Sequence, residues 1–124
     1  MKLLTFISEY FNFLLVNFEY EIYSGRAFSS RSGVIEMKSD NLKIKFISER
    51  NQTFVEVGSL EGKDWCELSI LRYLLDKTPI SFMNLEELSS FLKTNLEKIE
   101  NLYSERKNIV VIEELKYKVA NKIL

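Results

Sequence analysis

Cys66 is the only cysteine in the chain, and histidine does not occur. A thiol acts as a nucleophile when a base or a positive environment holds it as thiolate, and no imidazole exists to do so. Trp65 and Leu68 flank Cys66, so it reads as a small buried hydrophobe at the first turn of a helix. Ser29 and Ser30 fall in a loop with neither a G-x-S-x-G turn nor a partner base. No glycine-rich loop is present to cradle a phosphate. A glycosidase pair of carboxylates would have to come from Glu19, Glu21, Glu36 or Glu56, which read as sheet-surface charges. Metal binding would fall to carboxylates alone. Glu86/Glu87 and Glu113/Glu114 are neighbours on helices, and adjacent helical side chains diverge by about 100°. Both pairs therefore read as solvated helix faces. The residues predict a chain that is not an enzyme and needs no metal and no cofactor.

The bulk composition narrows the remaining classes. The chain has 124 residues, 46% hydrophobic and 28% charged. That length and mix suit one folded domain over residues 1–124. Seventeen Lys and Arg against 18 Asp and Glu leave a net charge of −1. A nucleic-acid binder needs a basic footprint that this balance does not supply. A lone cysteine forms no intramolecular disulfide, and a reducing, cytoplasmic setting is the expectation. The apolar start of the chain resembles a signal peptide at first sight. Glu9 interrupts it, no small-residue cleavage site follows, and the uncharged run Tyr10–Phe18 is too short to span a bilayer. No membrane partner is expected.

The elements that must position any site follow from periodicity. Leu3, Leu4, Ile7, Phe11, Leu14, Leu15 and Phe18 repeat at helical spacing and predict one helix over residues 2–17. Phe6, Tyr10 and Phe13 form a second stripe, so this helix is either sandwiched in the domain or contacts another chain. From Phe18 the period becomes two, with Phe18, Tyr20 and Ile22 alternating against Glu19, Glu21 and Tyr23. Ser24–Arg31 is expected to be a loop pivoting on Gly25. Strands follow at Gly33–Ser39, Leu42–Phe46 and Thr53–Gly58, joined by tight turns at Asp40-Asn41 and Arg50-Asn51.

Those two turns dictate a register. The first pairs Lys38 with Lys43, Met37 with Ile44, Glu36 with Lys45, Ile35 with Phe46 and Val34 with Ile47. The second pairs Ile47 with Phe54, Phe46 with Val55, Lys45 with Glu56 and Ile44 with Val57. Cross-strand partners share a face. Ile35, Met37, Ile44, Phe46, Val55 and Val57 thus form one apolar face, and Glu36, Lys45 and Glu56 alternate in charge on the other. A slip of one residue would destroy both rows.

Past Gly62 the pattern turns helical. Asp64 with Glu67, and Asn84 with Glu87, have capping-box spacing. Pro79 ends the first helical unit. A long amphipathic helix runs from Leu85 to Tyr103, and a last one follows a break near 105–108 and reaches about residue 122. The run Ile109–Ile112 also fits a strand. The expected fold is α+β: an N-terminal helix, a four-stranded antiparallel meander, and C-terminal helices packed on one sheet face.

With catalysis set aside, binding remains. On the outer sheet face Val34, Ile47 and Phe54 form an apolar row beside charged Lys45, the pattern of a protein contact site unless another element covers it. The loop with Arg26, Phe28 and Arg31 is the second candidate, since arginine and aromatics concentrate at energetic centres of interfaces. The alternative is that Phe28 folds inward. The segments Ser39–Phe46, Phe54–Gly58 and Asp64-Trp65 resemble small uncharacterised bacterial α+β proteins with a "D-L-x-I-x-F" strand, a "V-x-V-G" strand and a Trp-led helix. Some bacterial proteins of this size are immunity partners of toxins. The resemblance implies an antitoxin-like, non-catalytic inhibitor with one protein partner. The alternative is a homodimeric adaptor that uses the Phe6, Tyr10 and Phe13 stripe. The chain is expected to be a monomer or a homodimer.

Overall fold

A computed structural model describes residues 2–28 and 32–123. Ser29, Ser30 and Arg31 lie outside the described residues. The chain opens with helices α1 (Lys2–Tyr10) and α2 (Asn12–Val16), where a single helix was expected. The break falls at Phe11, whose φ of −123° and ψ of 15° leave the helical region. The gain is burial. Phe11 is fully enclosed, and its ring meets that of Phe46 edge-on at 4.9 Å between centroids. Helix α1 lies between strands of the sheet and the long C-terminal helix. Tyr10 and Phe13 of the second stripe pack partly buried against the core. The sandwiched arrangement is therefore the one adopted.

The sheet has five antiparallel strands in the order β1-β2-β3-β4-β5, one more than expected. They are β1 (Glu21–Ala27), β2 (Gly33–Lys38), β3 (Lys43–Glu49), β4 (Gln52–Gly58) and β5 (Cys66–Glu67). All nine pairs dictated by the two tight turns are present as predicted. The turn types, however, are unlike. Arg50 and Asn51 both have positive φ, 49° and 66°, as a type I′ hairpin turn requires. Neither Asp40 nor Asn41 does. There the Ser39 hydroxyl accepts from Asn41 N at 3.1 Å, which supports a different local turn.

Two strands depart from expectation. The first strand begins at Glu21, because Glu19 turns the chain with φ of 59° and Tyr20 N donates to Leu14 O at 2.9 Å. It then runs through the expected loop as far as Ala27. Gly25 is no pivot but a strand residue paired with Ile35. The missed β5 pairs Glu67 with Glu56 and Cys66 with Val57.

The capping box at Asp64 does not form. The Asp64 carboxylate instead accepts from Ser59 N at 3.1 Å and Ser59 Oγ at 2.9 Å. This ties down the loop after β4 and leaves residues 65–67 extended. Helix α3 (Leu68–Asp76) therefore starts later, and Trp65 does not lead it. It stops at Lys77 in the left-handed region, two residues short of Pro79. The second capping box does form, at the start of α4 (Leu85–Tyr103). Asn84 Oδ1 accepts from Glu87 N at 2.9 Å, and Glu87 Oε1 accepts from Asn84 N at 3.2 Å. A short break at Ser104-Glu105 precedes α5 (Arg106–Ala120), which includes Ile109–Ile112 as helix.

The core lies between the apolar sheet face and the helices. Met37, Ile44, Phe46 and Val57 are fully enclosed there, with Leu68, Leu71, Leu92 and Ile99 from α3 and α4. Among the described residues no helix is long and apolar enough to cross a membrane.

Candidate protein-binding surface

The outer sheet face is built from three cross-strand rows, each fixed by the register. Its first row is Arg26, Val34, Ile47 and Phe54. The apolar row and the expected arginine loop thus become one feature, because β1 carries Arg26 alongside Val34. Arg26 lies over the ring of Phe28 at 5.9 Å, and Phe28 does not fold inward but is 62% exposed. At the far end Phe54 meets Phe82 edge-on at 6.3 Å. Val34, Ile47 and Phe54 stay half-buried, and the element that reaches this row is the Phe82 segment rather than the N-terminal or last helix. Arg31 lies outside the described residues.

The second row is Ser24, Glu36, Lys45, Glu56 and Glu67. Three of its charges are held by partners. Glu36 accepts from the Tyr23 hydroxyl at 2.9 Å, and Lys45 pairs with Glu56 at 3.6 Å. Burial first, then the Glu36 bond, pushes the Tyr23 hydroxyl up to about 12. The third row is Glu21, Lys38, Lys43 and Gly58. Trp65 lies over its Gly58 end, where an added Cβ would sit 3.4 Å from the indole. Lys45 Nζ and Lys43 Nζ stand 4.1 and 4.8 Å from the indole centroid. Lys43 Nζ also donates to Gly62 O at 2.8 Å. The two lysines are therefore stacked as well as charged.

Trp65, Tyr23 and Phe82 were not among the expected site residues. Trp65 reads as a helix leader while β5 is unseen. The signal that could have placed it on the sheet is Gly58, which leaves room beside Lys43 and Lys45 for a large ring.

Beside Phe54 and Phe82 an apolar cleft of about 310 Å³ opens, lined also by Thr53, Leu68, Ile80 and Leu88. Cys66 is not in a first helical turn. It is buried in β5, and burial pushes its thiol up to about 12, the opposite of an activated nucleophile. Burial likewise raises the hydroxyls of Tyr20 and Tyr103. Tyr20 donates to Glu100 Oε2 at 2.7 Å, which links the start of β1 to α4. Glu86, Glu87, Glu113 and Glu114 are exposed. Among the described residues no group of three or more His, Cys, Asp and Glu is placed to hold a metal ion.

Comparison of the chain with family models, curated proteins and solved structures finds no match.

Proposed function

We propose that this chain is a non-catalytic binding module that holds one protein partner on the outer face of its sheet. Immunity or antitoxin-like inhibition of a bacterial toxin in the cytoplasm is the concrete form of that role. The observation that carries the reading is the row Arg26, Val34, Ile47 and Phe54, half-exposed and bordered by Lys45 and Glu56. An apolar strip with a charged rim, closed at both ends by aromatics, has the make-up of an interface centre. Phe28 and Arg26 extend it at one end, and Phe82 at the other. The inhibitory role rests on the small size and on the resemblance of the strand and Trp65 segments to small bacterial proteins.

The test is co-expression with the products of adjacent genes and co-purification of any complex. Ile47→Asp together with Phe54→Asp should abolish the complex and leave helical circular dichroism intact. A complex that survives the pair at unchanged affinity places the interface elsewhere. A partner that is not a toxin leaves a binding module and removes the inhibitory role.

A further inference from the structure

β1 presents seven residues, all exposed on both faces, and no described residue pairs with its outer side. The opposite edge is closed by the two-residue β5, a common way to blunt an edge. β1 is a full strand without lysine or proline, and its only departures from a plain edge are the charges at Glu21 and Arg26 and an irregularity between Ile22 and Ser24. A long bare edge is a template for another strand.

The directions of its peptide groups can be counted off. Phe28 N donates to Ser32 O, so Arg26 and Ser24 face β2 and Gly25 faces away. The register shift between Ile22 and Ser24 moves the alternation by one residue, so Ile22 faces away too. Gly25 is notable for a second reason. Its φ is not positive, and an added Cβ would meet nothing nearer than Ile35 Cγ1 at 3.9 Å. Nothing inside the chain requires glycine there.

We propose that a second copy of the chain occupies this edge, paired antiparallel through β1 about a two-fold axis between Tyr23 and Ser24. In that register Ile22 of each copy is hydrogen-bonded opposite Gly25 of the other. The missing side chain at 25 makes room for the isoleucine, which is 43% exposed in the single chain. Glu21 of each copy stands opposite Arg26 of the other, and both side chains lie on the outer face with Lys38 and Val34. The symmetry forms both ion pairs at once. A slip of one residue sets Ile22 against Arg26 or Ser24 and separates the charges. The outward peptide groups, the spare glycine and the charges all select one alignment. Two five-stranded sheets then join into one.

A single strand pair buries less than the roughly 800 Å² per partner of a standard interface, so the dimer dissociates on dilution through the micromolar range. The inference is independent of the toxin-binding role, and its test needs no other protein. Sedimentation velocity from low micromolar to submillimolar concentration should show a reversible dimer. Glu21→Arg and Arg26→Glu should each weaken self-association by about tenfold or more, because like charges then face each other twice. Mixing these two variants in equal amounts should restore a dimer, since every pair is complementary again. That restoration also shows that both variants are folded. The proposal fails if the wild type stays monomeric throughout, if either single variant dimerises as the wild type does, or if the mixture does not pair.

Discussion

The ammonium of Lys45 stands 4.1 Å from the centroid of the Trp65 ring, while the same nitrogen pairs with Glu56 at 3.6 Å. One cation thus ties the loop before β5 to β3 and β4. The Lys45 and Glu56 side chains are about one-fifth exposed, so solvent weakens the pair without removing it. Lys45→Met keeps the stem and deletes the charge. It should cost about 1 kcal/mol, combining a cation–π contact with a screened ion pair. Trp65→Ala also uncovers Gly58 and both lysine stems, and should cost about 2–3 kcal/mol. Urea titration measures both. An unchanged midpoint for Lys45→Met would mean that packing alone holds the indole.

Phe46 and Ile47 are consecutive residues on opposite faces, which makes the register testable one residue at a time. Phe46 has no exposure and meets Phe11 edge-on. Phe46→Ala should cost about 3–5 kcal/mol, a large part of the ~5–15 kcal/mol that holds a domain together. Phe46→Asp should not fold. Ile47→Asp should stay within about 1 kcal/mol of the parent, because its side chain stays partly in water. Equal losses at both positions, read by circular dichroism in urea, would contradict the two-faced sheet.

The contrast between these residues also explains what the sequence made legible. β2, β3 and β4 each have one buried and one half-exposed face, and that asymmetry writes itself as alternation. β1 is exposed on both faces and interrupted at Tyr23, so the alternation that runs up to Tyr23 stops there and Ser24–Ala27 reads as loop. Arg26 was therefore a loop residue rather than the end of the Val34, Ile47 and Phe54 row. β5 is too short for any period. Asp64, three residues before Glu67, mimics a helix start while its carboxylate serves Ser59. The break at Phe11 was hidden for another reason. Helical spacing continues through it, and only the tertiary contact with Phe46 shows why the backbone departs.

The turn at Arg50-Asn51 carries a cost that can be relieved. Side chains with a Cβ are strained by about 1–2 kcal/mol per residue in the left-handed region, asparagine least, and Arg50 has φ of 49°. Replacing the pair by Asn-Gly, the preferred type I′ residues, should raise the melting temperature by about 3–6 °C. The same replacement at Asp40-Asn41 should give no gain, because neither residue there has positive φ. Thermal melts of the two variants side by side decide it. An equal gain at both turns would show that relief of the left-handed strain at Arg50 is not its source.

Stability should fall at alkaline pH, and buried acids set the direction. Burial raises the Cys66 thiol from 9.0 to about 12, and it also lifts the Tyr20 and Tyr103 hydroxyls above 10.0. In the unfolded chain these groups release their protons near pH 9–10, while the folded chain still holds them. The unfolded state then binds fewer protons, so the unfolding free energy declines as pH rises. The contribution is complete below pH 9 and is lost between about pH 9 and 12. Each group steepens the decline by at most about 1.4 kcal/mol per pH unit. Only Cys66 acts in the lowest part of that window. Cys66→Ala should therefore flatten the profile between about pH 9 and 10, even though the smaller side chain lowers stability overall. Urea midpoints of the two proteins across this range make the comparison. Parallel profiles would show that the thiol ionises as readily in the folded protein as in the unfolded one, and that the Val57–Cys66 pairing does not shut it away from water.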